Sequence, residues 1–531
     1  MCGFTGIKIT CAHHKPVRRK DITTMKLLRS ILVVSFAAGA LGDGCNVGDK
    51  KDCGHPGTQQ SDCEASGCCW QPVNEVDKDT PWCFYPDGDG PGPTDGPGGD
   101  CSSYNWNADG PGFTDEFYNT MFANYRANLN VEGCGAVVAA PDGDTPGGSY
   151  YYHWMRDAGL SIKAWLDVND NNFDSCKEVL EAYAGWVAKV QQKNDPNGID
   201  VRIEPKFTIP DGEPYTGGWC RPQTDGPALR AMALSKWGLI MKKNGRLGEA
   251  RSDVWPLVSF DMAWVTENWQ QSGCDLWEEF TSDDFYWNRM AFAYSLNAAA
   301  DFADSIGESA GSNYRSVANQ IIESAKGHFN GNFIYECNGR EKDGAVIHAI
   351  ITFGEYLYPP TSSEAAKTIA AYNNAFCEEY PINQQENGAG KPGILIGRYP
   401  GDSYAGGNPW QLLTAAHAEI FYLGASTWVK SIQERGNYAL TEEHNDWREL
   451  LYLDTDATIL DLARASLAAG DSVMSRLWDH VKDDGGRIDE QIDKYTGAQA
   501  SAQALTWSYA NILHALHTRK NVARGLESIT P

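Results

Sequence analysis

Two carboxylates of this chain stand near large aromatic residues, an arrangement that suits acid–base chemistry. Glu278 directly follows Trp277, and Glu490 lies seventeen residues before Trp507. Hydrolysis of a glycosidic bond needs a protonated carboxyl group on one side of the bond and an ionised carboxylate on the other. Aromatic faces nearby would give a sugar ring a surface on which to stack. We therefore predict that the two segments form one site.

Four loop segments of the chain join Trp or Tyr to Arg, Lys, Asp or Glu. Aromatic faces hold the apolar side of a hexose, whereas charged hydrogen bonds hold its hydroxyl groups and determine which sugar fits. Such mixed segments are typical of a carbohydrate site. They comprise 150–157, 204–207 with 215–227, 275–279, and 397–402 with 407–410.

The segments that must position these loops are mostly helical in pattern. One apolar stripe follows Asp225, a candidate N-cap with Pro227 in the first turn, and it ends at 242–245. Another begins at Ser282 and continues to Ala303. Long alternating strand patterns are absent, so we predict an all-α scaffold with its chemistry on the loops. Similar helical stretches recur near 309–327, 363–375, 410–432, 456–482 and 505–518.

The charge and the front of the chain limit its partners and its location. A net charge of −26 disfavours nucleic acid and anionic membranes as partners. Basic residues after Met25 precede an apolar run at 31–41 that is too short to span a bilayer, which is typical of a signal peptide. We predict a signal peptide at 25–42, an upstream extension outside the working protein at 1–24, and a secreted product. No segment predicts a membrane span, and nothing predicts an oligomer, so a monomer is expected.

Six cysteines follow within a short stretch, which predicts a disulfide framework whose pairing the spacing alone does not choose. The adjacent pair Cys68-Cys69 before Trp70, together with the other cysteines of 43–86, closely resembles a trefoil (P-type) domain. That resemblance implies the bridges Cys45–Cys69, Cys53–Cys68 and Cys63–Cys83. It leaves open whether the module is a spacer or a glycan contact. Residues 87–100 are rich in Gly, Pro and Asp and are predicted to be a linker.

The remaining residues, 101–522, are predicted to form one large domain. The loop segments described above, in their order, together with Glu490-Gln491 and the run from Leu505 to Ala510, resemble the glucoamylases, family 15 of the glycoside hydrolases. The resemblance implies an (α/α)6 barrel. It also implies exo-acting release of β-D-glucose, with inversion, from the non-reducing ends of α-1,4-glucans such as starch.

Roles follow from this resemblance position by position. Glu278 resembles the general acid and Glu490 the general base that activates water. The remaining matched positions resemble residues that contact the substrate, either through the clamp on the terminal glucose or through the aromatic wall. They are Tyr150, Trp154, Arg156, Asp157, Lys206, Trp219, Trp277, Glu279, Arg398, Tyr404 and Trp410.

Two further features concern cysteines and metals. Cys220 and Cys274 flank active-site segments, and a disulfide between them is a hypothesis; with seven cysteines in 101–522, at least one must stay unpaired there. The run 167–178 mimics the spacing of a calcium loop but has Asn172 where glycine is expected, so a turn between helices is the preferred interpretation. We expect neither a metal nor a cofactor.

Two alternative functions remain open at this stage. The enzyme could be an inverting exo-hydrolase of another α-glucan linkage. Alternatively, the chain could be a secreted carbohydrate-binding protein without catalysis, and the presence of both Glu278 and Glu490 argues against this reading.

Overall fold

A computed structural model describes Gln60, 69–71, 83–84 and 101–529. The chain divides into two compact units, Met1–Gly96 and Pro97–Pro531. The predicted upstream extension and the predicted signal peptide lie outside the described residues. So does the predicted linker, 87–100.

The first unit contains a short antiparallel strand pair. Strand β1 (Cys69–Trp70) pairs with β2 (Cys83–Phe84), with Cys69 opposite Phe84. Cys69 is buried and disulfide-bonded. The bonding partners of the six cysteines fall outside what the structure describes, so the bridges Cys45–Cys69, Cys53–Cys68 and Cys63–Cys83 stay predictions.

The second unit is built from helices that alternate with short strand pairs. The helices are α1 (Asp115–Ala127), α2 (Met155–Val168), α3 (Phe173–Val190), α4 (Gly226–Lys243), α5 (Leu247–Glu249), α6 (Trp255–Asn268), α7 (Tyr286–Ile306), α8 (Gly311–Ala325), α9 (Gly344–Phe353), α10 (Ser363–Glu379), α11 (Pro381–Gly388), α12 (Gln411–Arg435), α13 (Asn445–Leu450), α14 (Ile459–Val481) and α15 (Thr506–Ile529). The strands are β3 (Leu129–Val131), β4 (Ala136–Val137), β5 (His153–Trp154), β6 (Lys206–Phe207), β7 (Gly273–Cys274), β8 (Thr281–Ser282), β9 (Gln491–Ile492) and β10 (Gln499–Ala500).

Within residues 101–529, six of these helices close into a ring. Helix α2 packs on α4, α4 on α7, α7 on α9, α9 on α12, α12 on α15, and α15 returns to α2. Other helices lie outside the ring, such as α8 against α7 and α14 against α12. The all-α prediction is confirmed, and the double layer is the (α/α)6 barrel that the resemblance implied.

The inner helices are buried on nearly all sides, which explains their composition. Helix α4 alternates Ala, Leu, Met and Trp with almost no polar face, and its residues from Gly226 to Ser235 are all buried. A surface helix has a polar face toward solvent and a single apolar stripe toward the core. A helix that is apolar on all sides is therefore stable only when it is buried. Because the inner helices are packed on all sides, the positions of their ends are fixed.

The inner helices all begin at the same end of the barrel. The residues at or just before their first turns include Trp154, Asp225, Asp343, Trp410 and Thr506. The N-terminal end of a helix carries partial positive charge. This end of the barrel is therefore favourable for carboxylates, and the loops that lead into the inner helices meet there.

The helix boundaries confirm most of the sequence-based expectations. Asp225 is the N-cap residue of α4, and Asn244, within the predicted end at 242–245, is its C-cap. The helix predicted from Ser282 begins four residues later, at Tyr286, because Thr281 and Ser282 pair with Cys274 and Gly273 in a β-hairpin. The calcium-like spacing falls at the turn between α2 and α3.

The described cysteines of the second unit form two disulfide bonds. Cys101 is bridged to Cys377, and Cys220 to Cys274. Cys176 and Cys337 are thiols, which agrees with the expectation that at least one cysteine of this region stays unpaired. Among the described residues, no helix is long and apolar enough to cross a membrane.

Candidate active site

A cavity of about 120 Å³ opens at the end of the barrel where the inner helices begin. It brings Glu278 and Glu490 together, although 212 residues separate them in the sequence. Of the residues predicted to contact substrate, all except Lys206 and Glu279 line it. The lining residues are Ala139, Gly147, Tyr150, Trp154, Arg156, Asp157, Trp219, Leu276, Trp277, Glu278, Arg398, Tyr404, Trp410, Glu490, Leu505 and Trp507.

Glu278 lies at the tip of the loop between β7 and β8. Its backbone has φ of +68°, a left-handed conformation that is uncommon for a residue other than glycine and that often marks functional sites. Two N–H groups donate to its Oε1: the Trp154 indole at 2.8 Å and the Gln223 amide at 2.9 Å. Within the described chain, no hydrogen bond is made to Oε2. One carboxyl oxygen is thus fixed and the other is left for a ligand.

Glu490 is buried and is held by a different set of donors. The Tyr150 hydroxyl donates to its Oε1 at 3.0 Å, and Ser501 and Gln491 donate to its Oε2. Burial raises the pKa of Glu490 to about 6, while the hydrogen bonds from Ser501 and Tyr150 oppose that rise. The group is therefore a carboxylate above about pH 6, with hydrogen bonds that favour the ionised form.

Arg156 is a buried cation in the cavity wall. Its Nε and Nη2 donate to the two carboxylate oxygens of Asp225 at 2.6 and 3.2 Å, a bidentate pair. Its Nη2 also donates to Gln223 Oε1 at 2.8 Å. Because the same Gln223 amide donates to Glu278, it links the cation to the carboxyl group. The sequence motif contained Gln223, but no pattern at the sequence level marked it as part of the site.

Arg398 forms a second buried cation. It donates from Nε to Asp402 Oδ2 at 2.7 Å and from Nη2 to Glu279 Oε1 at 2.8 Å. Its guanidinium carbon lies 4.9 Å from the ring centre of Tyr404 and 5.4 Å from that of Trp410. Glu279 also accepts from Arg340 at 3.1 Å and from Tyr399. The oxygens of Glu279 are thus used by protein groups, and it orients Arg398 from outside the cavity.

Asp157 lines the cavity beside Arg156. Burial raises its pKa to about 7; the Arg156 charge opposes this rise, and the charge of Glu278 adds to it. Carboxyl groups that crowd one cavity cannot all ionise readily, because like charges repel at short range. The protonation of Asp157 is therefore coupled to the state of the other acids.

Lys206 lies behind the aromatic wall rather than on the cavity surface, and only 2% of it is exposed. Its Nζ is 3.4 Å from the ring centre of Trp219 and 4.3 Å from that of Trp154. The rings of Tyr152 and Tyr215 complete the cage. Desolvation by burial lowers its pKa to about 8, although Glu278 opposes the shift. In this structure Lys206 therefore supports the wall and does not reach the cavity.

Tryptophans form the rest of the wall. Trp277 lies 5.4 Å from Trp410 and 6.4 Å from Trp507 between ring centres, the latter in a stacked arrangement. The Trp277 indole donates to the buried carboxylate of Asp343 at 2.8 Å. Trp507, known from the sequence only as part of a motif, is thus a lining residue as well.

The Cys220–Cys274 bridge joins two segments of the site, as hypothesised from the sequence. Cys220 follows Trp219, and its carbonyl accepts from the Gln223 amide at 3.2 Å. Cys274 lies in the first strand of the hairpin that carries Glu278, and its N–H donates to the Pro222 carbonyl at 2.8 Å. Covalent and hydrogen bonds therefore fix the Glu278 loop against the Trp219 loop.

Two family models match the chain. Residues 120–517 match the glycosyl hydrolases family 15, and residues 44–86 match the trefoil (P-type) domain. Glucoamylase-1 of Schizophyllum commune is 33% identical over 404 residues, covering 72% of this chain and 69% of that protein. A glucoamylase of Neurospora crassa is 31% identical over 435 residues, covering 75% and 67%.

Solved structures agree with this assignment. The glucoamylase of Hormoconis resinae superposes with a TM-score of 0.69 at 28% identity, over 76% of this chain and 73% of that chain. The family 15 glucoamylase of Hypocrea jecorina gives a TM-score of 0.69 at 29% identity, over 77% and 72%. The family-model match, 120–517, spans every residue that lines the cavity. The chain therefore belongs to the glycosyl hydrolases of family 15 and carries a trefoil domain ahead of its catalytic barrel.

Proposed function

We propose that this protein is a secreted glucoamylase: an exo-acting glucan 1,4-α-glucosidase that releases β-D-glucose from the non-reducing ends of starch-type chains. The observation that carries the proposal is the presence of Glu278 and Glu490 in one small cavity with two buried arginines. The glucoamylases among the relatives support the same reaction class.

Glu278 is the proposed general acid. Its Oε1 accepts two N–H bonds, so Oε2 is the oxygen left to carry and deliver a proton. That oxygen is available to the glycosidic oxygen of a bound glucan. Protonation there makes the departing sugar a neutral leaving group.

Glu490 is the proposed general base. Tyr150, Ser501 and Gln491 occupy three acceptor positions of the carboxylate, and a carboxylate has about four. The remaining position accepts a proton from water as that water attacks the anomeric carbon. In an inverting enzyme the two carboxyl groups are about 6.5–9.5 Å apart to leave room for this water, and we expect that separation here.

The small cavity favours attack at a chain end. Its volume of about 120 Å³ lies below the roughly 300–1,000 Å³ of sites that enclose larger ligands. It suits one sugar ring better than a continuous run of chain. Arg156, Asp157 and Arg398 supply charged hydrogen-bonding groups for the hydroxyls of a terminal glucose, while Trp154, Trp219, Trp277 and Trp410 offer ring faces.

Single substitutions of the two carboxylates test the roles. Glu278→Gln and Glu490→Gln are each expected to lower kcat on soluble starch by at least about 100-fold, because acid–base groups contribute 10²- to 10⁴-fold. Binding of maltose, measured by isothermal titration calorimetry, should persist because both amides preserve the cavity shape. Near-normal glucose release by either variant would refute the assignment.

Secretion and the trefoil belong to the same proposal. The signal peptide proposed at 25–42, the disulfide-bonded barrel and the trefoil suit an oxidising compartment. Expression of the whole chain in a eukaryotic host should release a product whose N-terminus, read by mass spectrometry, lies near residue 43. We further propose a monomer and a glycan contact by the trefoil.

A further inference from the structure

A second groove lies outside the catalytic cavity. It has a volume of about 280 Å³ and shares no residue with the cavity. Helix α10, helix α13 and the segment just after Cys101 form its walls. Its lining includes Tyr104, Lys367, Asn373, Asn374, Asp446 and Tyr452.

Tyr452 is an exposed residue of the groove, with 55% of it accessible to solvent. It directly follows the last turn of α13 and has φ of +55°, a left-handed conformation. Glycine or asparagine normally takes that place after a helix, because a bulky side chain is strained there. A large ring that is both exposed and strained gains little from burial, and such outliers tend to be kept for function.

The Tyr452 ring is held in place by its hydroxyl group. The backbone N–H of Tyr104 donates to that hydroxyl at 3.0 Å. The Tyr104 hydroxyl donates in turn to Asn374 Oδ1 at 3.1 Å. The two tyrosines and the asparagine are thus linked, and the Tyr452 ring forms a fixed platform rather than a mobile side chain.

Asn373 adds an unsatisfied amide to the groove. Its side chain is fully buried, and within the described residues neither Oδ1 nor Nδ2 has a hydrogen-bond partner. Buried polar atoms without partners are rare and costly, so each calls for an explanation. No hydrogen bond fixes the amide, and rotation of the side chain would present one donor and one acceptor to a ligand in the groove.

The charges of the groove favour a neutral ligand. Lys367 lies 3.7 Å from Asp446, so these charges largely offset each other. Glu449 is the remaining charged lining residue, and its side chain is 72% exposed. An anion would meet net negative charge here. The Tyr452 ring matches the apolar face of a sugar. The Asn373 amide and the charged side chains match its hydroxyl groups.

We infer that this groove is a non-catalytic binding site for α-glucan chains. The choice of glucan as the ligand rests on the proposed function, whereas the sugar chemistry rests on the groove itself. A site apart from the catalytic cavity would hold the enzyme on a polymer while chain ends enter the cavity. It would thereby raise the local concentration of those ends.

β-Cyclodextrin is a suitable probe because its closed ring has no chain end for an exo-acting cavity. Its binding to the full chain is measured by isothermal titration calorimetry in wild type, Tyr452→Gly and Asn373→Leu. We expect wild type to bind and each variant to bind about tenfold more weakly, the loss expected for removal of a stacking ring or of an amide that hydrogen-bonds the ligand. Glucose release from maltotriose should be unchanged in both variants.

Both variants are chosen to preserve the fold. Glycine relieves the left-handed backbone of Tyr452, and leucine removes the unsatisfied amide of Asn373, so neither Tm should fall. Phe260→Ala is the matched control, because Phe260 is 38% exposed and lies outside the groove. Absence of cyclodextrin binding in wild type, or equal affinity in wild type and both variants, would overturn the inference. Failure of the wild-type protein to release glucose from maltotriose would instead contradict the proposed function.

Discussion

At the residue scale, the two carboxylates differ because their donors differ. Glu278 accepts N–H groups on one oxygen only, whereas Glu490 accepts a hydroxyl group on one oxygen and a hydroxyl and an amide group on the other. The sequence predicted both residues, since each lies in a recognisable motif. It did not predict Gln223 or Ser501, because an amide and a hydroxyl in a loop have no periodic signature, and only the folded chain brings them to the carboxylates.

Ser501 provides a test of how the base is tuned. Burial raises the pKa of Glu490 to about 6, and the Ser501 hydroxyl is the foremost group that lowers it. A base must be ionised, so kcat/KM should rise with pH through an apparent pKa near 6. Ser501→Ala removes the donor and should move this acidic limb to higher pH, with little change in kcat on the plateau. The pH profile of kcat/KM on maltose decides the point, and a shift to lower pH would contradict the account.

At the element scale, most of the helices could be predicted and most of the short strands could not. The stripe of α4 is long and its ends carry clear signals, so its bounds were correct. Thr281 and Ser282 pair across a hairpin of two-residue strands, which is too short to give an alternating pattern. The helix predicted from Ser282 was therefore placed too early.

The Cys220–Cys274 bridge is the element that fixes the Glu278 loop against the Trp219 loop. We expect Cys220→Ala/Cys274→Ala to lower kcat/KM by about tenfold to 100-fold, since small displacements of reacting groups have effects of that size. Cys101→Ala/Cys377→Ala is the matched control, because neither cysteine lines the cavity. It should lose stability but keep kcat/KM. Equal kinetics in the two double variants would show that the bridge does not position the site.

At the scale of the whole molecule, the barrel carries a half-buried ionic cluster that makes stability depend on pH. His514 lies between Glu419 and Asp167, at 3.2 Å from Asp167, and these carboxylates raise its pKa to about 9 against burial. Because the folded pKa lies above the unfolded value of 6.5, the stabilisation is complete below about pH 6.5. It is lost as pH rises through about 9.

This cluster predicts a specific alkaline weakness. A shift of this size corresponds to roughly 3 kcal/mol, so the free energy of unfolding should fall by about that amount between pH 6.5 and pH 10. Urea unfolding at the two pH values measures the change. His514→Asn should be less stable at pH 6.5 and should lose less between the two pH values. An equal loss in variant and wild type would assign the weakness to other groups.

The central claim is that Glu278 and Glu490 perform a single displacement with inversion at the end of an α-glucan chain. Proton NMR of the glucose released from maltotriose in the first minutes, before the anomers equilibrate, tests it most directly. We expect β-D-glucose as the first product. Release of α-D-glucose would show retention of configuration and would contradict the assignment of Glu490 as a base that activates water.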